Sequence, residues 1–451
     1  MTAPFETEIR TLMDLARENG LGDVEVYAKR DIALTLRAHN GELESFQRSD
    51  SVGLGVRVLL GERVGYAYTE NLAPAALQRV LNEASSNAEL VEAQPGAALA
   101  ADAPVPEAPE LFNPALDAVP LPEKIAQVKH LETITRTADP RVKAVPGCSY
   151  ADGQSVVRIA STRGLDRFYR SNMVYALVYP IVSEGEQNKT CYEMAIGRDF
   201  AKLDMAALSQ AAVQGALRRL GAQEMASGRY PVIFTPKAMT ELLSAFSSVF
   251  SAKAAQEGKS LLAGKLGQRV SSLMVSLVDD PLRVDGIATR PFDDEGVPSR
   301  RLALIEMGDF KTFLHNTQTA RQAGVESTGH ASRGGYKGTV DIAPSNLFFE
   351  SGGATAVQLV DGPGPVVVID DLQGLHAGTN PISGDFSLAS QGHLYEDGQY
   401  RHPVHNFTVA GNFVDLLEAV EGVGDDLRFF PHGSYIGSPS MRVKELAIAG
   451  A

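Results

Sequence analysis

Tyr230-Pro-Val-Ile-Phe-Thr-Pro-Lys-Ala-Met-Thr-Glu-Leu-Leu-Ser-Ala-Phe-Ser-Ser-Val-Phe-Ser-Ala-Lys-Ala-Ala-Gln256 decides the architecture. Tyr230 to Phe234 reads as a short buried strand. Thr235 stands where a helix N-cap belongs. Pro236 follows at the first helical position, where a missing N–H costs nothing. From about Lys237 to Gln256 the spacing predicts one long helix. Leu242, Leu243, Phe246, Val249 and Phe250 give it a broad apolar stripe. Such a stripe belongs against a core; the alternative is a buried contact with a partner chain.

Outward from this segment the two sides differ. After Gly267 the pattern is strand and turn to the end, punctuated by Gly, Pro and Asp, so the C-terminal part is mainly β. On the N-terminal side, Ile9, Leu12, Met13, Leu15 and Ala16 recur at helical spacing until Gly20 and Gly22. Strand-type alternation follows through Val24, Val26 and Tyr27, then Ile32, Leu34 and Leu36. His39-Asn40-Gly41 is a hairpin-like turn, because Asn-Gly tolerates positive φ. Val52 to Tyr68 reads as two strands joined at Gly61-Glu62. A helix is expected over about 73–88, with Leu77, Val80, Leu81 and Ala84 on one face. Residues 93–121, rich in Ala, Pro and Glu, read as a linker or long surface loop. Beyond lie a helix over about 122–138, strands near 144–151, 155–161, 167–182 and 187–196, and a helix over about 204–220. Turns are expected at Asp152-Gly153 and Arg163-Gly164.

These patterns divide the chain into an N-terminal α/β domain (1–92), the linker or loop (93–121), a central α/β region packing on that domain (122–226) and a β-rich C-terminal domain (227–451). The class is α+β.

The 451 residues carry a formal net charge of −14, with no dense Lys/Arg block. Nucleic-acid binding demands a basic footprint that displaces counterions, so direct contact with DNA is excluded as a leading reading. No apolar run reaches the ~20 residues that span a bilayer. Met1 to Arg10 is polar and acidic, without the apolar centre of a signal peptide. Cys148 and Cys191 are too few for a disulfide framework and suit a reducing compartment. A cytoplasmic protein is the expectation.

Three chemistries have possible carriers in the sequence. Zinc hydrolases place two His one helical turn apart so that both imidazoles share a face. The nine histidines here include no such pair in a helical segment; His402 and His405 fall in a strand pattern around Pro403. Lys189 stands near Cys191 and could lower its pKa, yet the thiol lies in a strand pattern with no His nearby in sequence. Gly53-Leu-Gly55 is too short for a dinucleotide fingerprint, and glycines in strands mark bulges or tight bends. The most distinctive cluster is Phe292-Asp-Asp-Glu-Gly-Val-Pro-Ser-Arg-Arg301. Asp293, Asp294 and Glu295 form a turn with which Arg300 and Arg301 could pair. It is either a substrate or interface element, or a turn held by Asx-type hydrogen bonds.

The ordered motifs resemble the TldD/PmbA family of zinc metallopeptidases over the full length. Gly55-Val-Arg-Val58, Gly65-Tyr-Ala67, Val232 to Pro236, Phe292 to Arg301, Ser327-Thr-Gly-His-Ala-Ser-Arg333, Pro344-Ser-Asn346, Ser383-Gly-Asp-Phe386, Val409-Ala-Gly-Asn412 and Gly437 to Val443 carry the likeness. The resemblance implies an N-terminal α/β half and a mostly antiparallel, barrel-like C-terminal half with one long helix. Active members carry His-Glu-x-x-x-His on that helix and a later Cys as third ligand. Counted from Pro236, the His positions fall on Ser244 and Val249 and the Glu position on Ala245; no Cys follows Cys191. This resembles the TldE/PmbA branch. It implies a chain with no catalytic or metal residues of its own, paired with a TldD-type subunit that holds the zinc. The heterodimer would act on unfolded proteins or peptide precursors. The alternative is a homodimer that binds peptides or a regulator without cutting. The DNA gyrase modulator label attached to such proteins finds no support in this acidic sequence.

Overall fold

The computed structural model describes residues 4–450. Of the N-terminal stretch Met1 to Arg10, the first three residues lie outside the described ones. Helix α1 (Glu6–Glu18) follows, buried along Ile9, Leu12 and Ala16.

One sheet runs through the first half: β1 (Asp23–His39), β2 (Glu42–Leu60), β3 (Arg63–Thr69), β4 (Val142–Ser161), β5 (Asp166–Glu184), β6 (Gln187–Thr190) and β7 (Glu193–Gly197). Its order is β3-β2-β1-β4-β5-β6, with β7 also paired to β5. The strands of residues 1–92 and 122–226 therefore share one antiparallel sheet. The β1–β2 turn has Asn40 at φ 54° and Gly41 at φ 79°, the left-handed pair that Asn-Gly favours. Asp152-Gly153 is not a turn: β4 runs straight through it. Tyr150 donates to Asp152 at 2.6 Å, Lys124 pairs with the same carboxylate at 2.6 Å, and Gly153 lies beside the Ile32 carbonyl, which leaves no room for a side chain. The strand expected over 187–196 is two strands, broken at Cys191-Tyr192.

Strand alternation splits the sheet's faces. Val24, Val26, Val56 and Val58 pack under α1 and α2 (Pro74–Leu90). Farther along, Tyr150, Val174, Ala176 and Val178 pack under α4 (Leu121–Thr137) and α5 (Met205–Leu217), with the short helix α3 (Pro114–Ala118) beside them. The intervening register turns Glu25 and Tyr27 to the opposite face, toward the C-terminal half. Residues 91–113 contain no helix or strand, yet they form a strap held down at several points rather than a free tether. Ala97, Ala100 and Leu111 are buried, Gln318 donates to the Pro95 carbonyl at 3.3 Å, and Arg167 pairs with Asp102 at 2.6 Å.

The second half contains β8 (Gly228–Phe234), β9 (Leu277–Asp279), β10 (Leu302–Glu306), β11 (Asp309–Phe310), β12 (Ala331–Ser332), β13 (Asp341–Ile342), β14 (Asn346–Phe349), β15 (Pro365–Gln373), β16 (Asp385–Glu396), β17 (Gln399–Asn412), β18 (Val420–Val423), β19 (Arg428–His432), β20 (Ser434–Ser438) and β21 (Met441–Ala449). β17-β16-β15-β8-β21 close on themselves through a β17–β21 pairing, giving a five-stranded barrel with β18 appended to β21. A second sheet, β11-β10-β9-β14-β20-β19, stands beside it. Val232, Phe234, Val367, Ile369, Leu388, Val409 and Val443 share one core with the helix that follows β8. The fold is thus α+β with a barrel in its C-terminal half.

The helix expected over about 237–256 is present as consecutive pieces. α6 (Pro236–Phe246) tightens into a 3-10 turn at Ser247–Phe250, and α7 (Ala252–Gln256) resumes. Serine chemistry explains the break. Ser247 Oγ bonds back to the Ser244 carbonyl at 2.9 Å, and Ser251 restarts the helix as N-cap to Ala254 N at 3.5 Å. Thr235 caps α6 through Ala238 N at 3.5 Å.

Candidate functional site

Ser244 and Ala245 lie half-buried near the end of α6, while Val249 sits in the 3-10 turn at 1% exposure, inside the core. The methyl and isopropyl groups cannot ligate a metal ion, and the Ser244 hydroxyl supplies neither the imidazole nor the carboxylate of a hydrolytic zinc site. Among the described residues, no group of three His, Cys, Asp or Glu side chains is placed to hold a metal ion.

A groove of about 650 Å³ opens beside this turn. Ser247, Ser248 and Ser251 form one wall, and Ala343-Pro-Ser345 with His432-Gly-Ser434 form the other; Lys253 and Arg290 reach into it. The groove therefore offers hydroxyls, loop backbone and charges of both signs, Glu257 and Asp341 lining it beside the cations. His432 Nε2 lies 3.4 Å from Thr240 Oγ1, and burial with the nearby Lys237 charge lowers its pKa, so the ring is neutral at pH 7. Behind Ser345, Asp279 accepts from its N–H at 2.7 Å and its Oγ at 2.5 Å, with His330 Nε2 at 3.4 Å. Burial works to raise the Asp279 carboxyl, but His330 and Ser345 outweigh it and hold it low.

Deeper still lies the Asp-Asp-Glu-Gly turn. Asp293, Asp294 and Glu295 are 0%, 8% and 1% exposed. Asp293 Oδ1 accepts from Glu295 N and Val297 N, both at 2.9 Å, and its Oδ2 accepts from Ala331 N at 2.9 Å. Asp294 accepts from Arg333 N at 2.8 Å. Glu295 accepts from Thr317 N at 2.8 Å and pairs with Arg57 at 2.9 Å. Arg57 also pairs with Glu25, its direct cross-strand partner, at 2.7 Å, and Arg333 closes the loop on Glu25. Burial works against the Glu25 carboxylate, but Arg333 and Arg57 hold its pKa below the ordinary range. Asp293 goes the other way: burial, then the neighbouring Glu295, push it up to about 7, against Arg290.

The expected pairing of Arg300 and Arg301 with this turn does not occur. Both are half-exposed and face other acids, Glu326 at 3.8 Å and Glu350 at 2.5 Å. Sequence reasoning missed the turn's actual partners, Glu25, Arg57, Arg290 and Arg333. Two of them were within reach, since Arg57 and Arg333 each lie in a stretch already singled out. Gly53 and Gly55 serve close approach rather than a bulge: a side chain at Gly53 would run into the Tyr336 ring, and one at Gly55 into the Tyr66 hydroxyl and the Tyr336 carbonyl. The closing motifs also meet, with Asn412 Nδ2 donating to the Ser383 carbonyl at 2.8 Å and to Asp385 at 3.1 Å. Both cysteines are buried and free. Burial pushes the Cys148 thiol up to about 12 and raises Cys191 too, so neither is an activated nucleophile.

Comparisons with known proteins agree with this arrangement. Models of the PmbA/TldA metallopeptidase domain 1, central domain and C-terminal domain match residues 24–88, 114–220 and 227–450. The metalloprotease PmbA homolog of Haemophilus influenzae is 28% identical over 444 residues, covering 97% of this chain and 94% of its own length. A crystal structure from Thermotoga maritima, described as a candidate modulator of a DNA gyrase, superposes with a TM-score of 0.90 at 30% identity, covering 99% of this chain and 100% of that one. TldE from Thermococcus kodakarensis shares the fold, with a TM-score of 0.89 at 24% identity over 98% of this chain and 100% of its own. The chain belongs to the PmbA/TldD family of metallopeptidases.

Proposed function

We propose that this chain is the non-catalytic, TldE/PmbA-like subunit of a cytoplasmic zinc metallopeptidase complex, acting with a TldD-type partner on unfolded proteins or peptide precursors. The observation that carries the reading is the content of the family's ligand positions: Ser244, Ala245 and the buried Val249 offer neither imidazole nor carboxylate. No cysteine after Cys191 stands in for the third ligand.

What remains is a role in holding substrate. The groove beside the 3-10 turn is walled by loop backbone at 343–345 and by the β19–β20 turn at 432–434, and β19 stands at the edge of its sheet. An open strand edge beside a groove suits an unfolded polypeptide, because main-chain hydrogen bonds bind it without regard to sequence. The partner would supply the metal and its activated water.

Reconstitution tests the proposal. The purified chain alone should leave an unfolded protein substrate intact, and mixing it with a TldD-type subunit should give a stable two-chain particle that hydrolyses it. Hydrolysis by the lone chain at the rate of the mixture, or a partner whose activity ignores this chain, would count against it.

A further inference from the structure

The sheet of the first half ends on an edge that is only partly covered. β3 pairs with β2 from Leu54 to Leu60 and goes no further. From Gly41 at the hairpin tip to Gly53, the outer side of β2 has no strand beside it among the described residues. We propose that this open edge is a docking strand for a second copy of this chain, the two β2 strands pairing antiparallel about a two-fold axis at Gln47.

Exposure sets the stretch apart. Every residue from Glu44 to Ser51 is exposed, on both faces of the strand, whereas Gly53 to Leu59 is buried. An open edge of this length offers a row of N–H and C=O groups to any strand that fits beside it. Pairing with β1 is regular from Ser45 onward, opposite Arg37; the bulge at Glu44 lies before it.

The side chains decide which strand fits. Phe46 and Arg48 share the helix-bearing face and line a shelf with Leu34 and Leu121. Phe46 is 49% exposed and Leu121 40%. Asp50 is held by Arg30 at 2.7 Å, but Arg48 has no ion pair among the described residues. An exposed aromatic ring and an unpaired cation thus stand two residues apart on one face. In antiparallel strands, residues directly opposite share a face, with Cβ atoms ~5 Å apart. A two-fold at Gln47 sets Phe46 of each copy opposite Arg48 of the other, giving two cation–π pairs. Ser45 then faces Ser49, and Gln47 faces its own copy, where the side-chain amides exchange hydrogen bonds.

The neighbouring registers fit worse. Centred on Phe46, the ladder would take the bulge at Glu44 into its centre. Centred on Arg48, it would set two like cations face to face, and the hairpin tip of one copy would overrun Gly53 and meet β3 of the other. Gln47 is the midpoint of the open stretch 41–53, so this register uses the whole edge. The contact is isologous, the same patch on both copies, and closes at two. So short a ladder makes a weak, concentration-dependent dimer.

Sedimentation velocity on the full chain, from micromolar to high-micromolar concentration, should show a monomer–dimer equilibrium. Phe46→Arg, checked for unchanged melting, should weaken it about tenfold or more, because the new cation faces Arg48. Adding Arg48→Phe to that variant exchanges the two partners in place and should restore the dimer. Gln47→Cys should form a copy-to-copy disulfide under mild oxidation, both native cysteines being buried. Ser51→Cys, exposed on the same strand, should not, because the two copies of that position would lie roughly 27 Å apart. The proposal is overturned if the chain stays monomeric throughout, if Phe46→Arg dimerises unchanged, if the exchange fails to restore the dimer, or if both cysteine variants cross-link alike. A monomeric chain whose assembly with a TldD-type subunit is blocked by Phe46→Arg would assign the edge to that partner and would equally overturn self-pairing. The proposal does not rest on the partner-dependent peptidase reading, which hydrolysis by the two-chain mixture tests, so the two fail separately.

Discussion

At the scale of single residues, the molecule concentrates its charge where water is absent. Glu25, Asp294 and Glu295 are buried with Arg57 and Arg333, and Asp293 lies beside them. A buried ion pair adds little net stability compared with an apolar replacement, but removing one partner strands the other. Arg57→Ala would leave Glu25 and Glu295 each short of a cation, and should cost ~3–5 kcal/mol in urea unfolding. A loss below ~1 kcal/mol would mean that water reaches the cluster. Asp293 gives a second prediction, in pH. Its pKa stands near 7 in the folded chain against an ordinary 3.8, so the folded state keeps a proton that the unfolded chain has released. Its contribution is complete below the ordinary value and is lost as pH rises through 7. Glu241, also pushed up to about 7 by burial, acts in the same direction. The lowered Glu25 and Asp279 act oppositely, at acid pH. Asp293→Asn should therefore flatten the fall in unfolding free energy between about pH 4 and 7; a variant with the wild-type slope would show that another group carries it. The acid run itself was legible as a turn. Its partners were not, because the pairs Arg57–Glu295 and Arg333–Glu25 join residues more than two hundred positions apart, which no local pattern encodes.

At the scale of elements, the segment from Tyr230 to Gln256 shows what local chemistry decides and what it leaves open. The strand, the Thr235 cap and the proline at the helix start follow from the sequence alone. The break after Phe246 does not follow from apolar spacing, because the stripe continues through Val249 and Phe250 while the serines between them bond to the backbone instead. Phe246 stacks on Phe413 with ring centroids 4.7 Å apart and is fully buried. Phe246→Ala should cost ~3–5 kcal/mol by thermal or chemical unfolding. A much smaller loss would show that the helix packs more loosely than its burial implies. β4 teaches the same lesson in reverse. Asp-Gly reads as a turn in isolation, yet cross-strand pairing with β1 on one side and β5 on the other keeps the chain extended.

At the scale of the whole molecule, an antiparallel sheet under helices and a barrel-centred half are joined by the buried clasp and by the strap over 91–113. Three of the family motifs, scattered along the sequence, meet at that junction: Arg57 from one stretch, the acidic turn from a second, Arg333 from a third. Recognition of the family therefore reached further than any single motif, since the motifs describe one assembled joint. On the proposed reading, Ser244, Ala245 and Val249 stand where the catalytic relatives hold metal ligands. The direct test is the metal content of the purified, unpartnered chain after dialysis against excess zinc and then zinc-free buffer, read by elemental analysis. The account predicts zinc far below one ion per chain. A stoichiometric ion that survives dialysis, and that anomalous scattering places on α6, would contradict it.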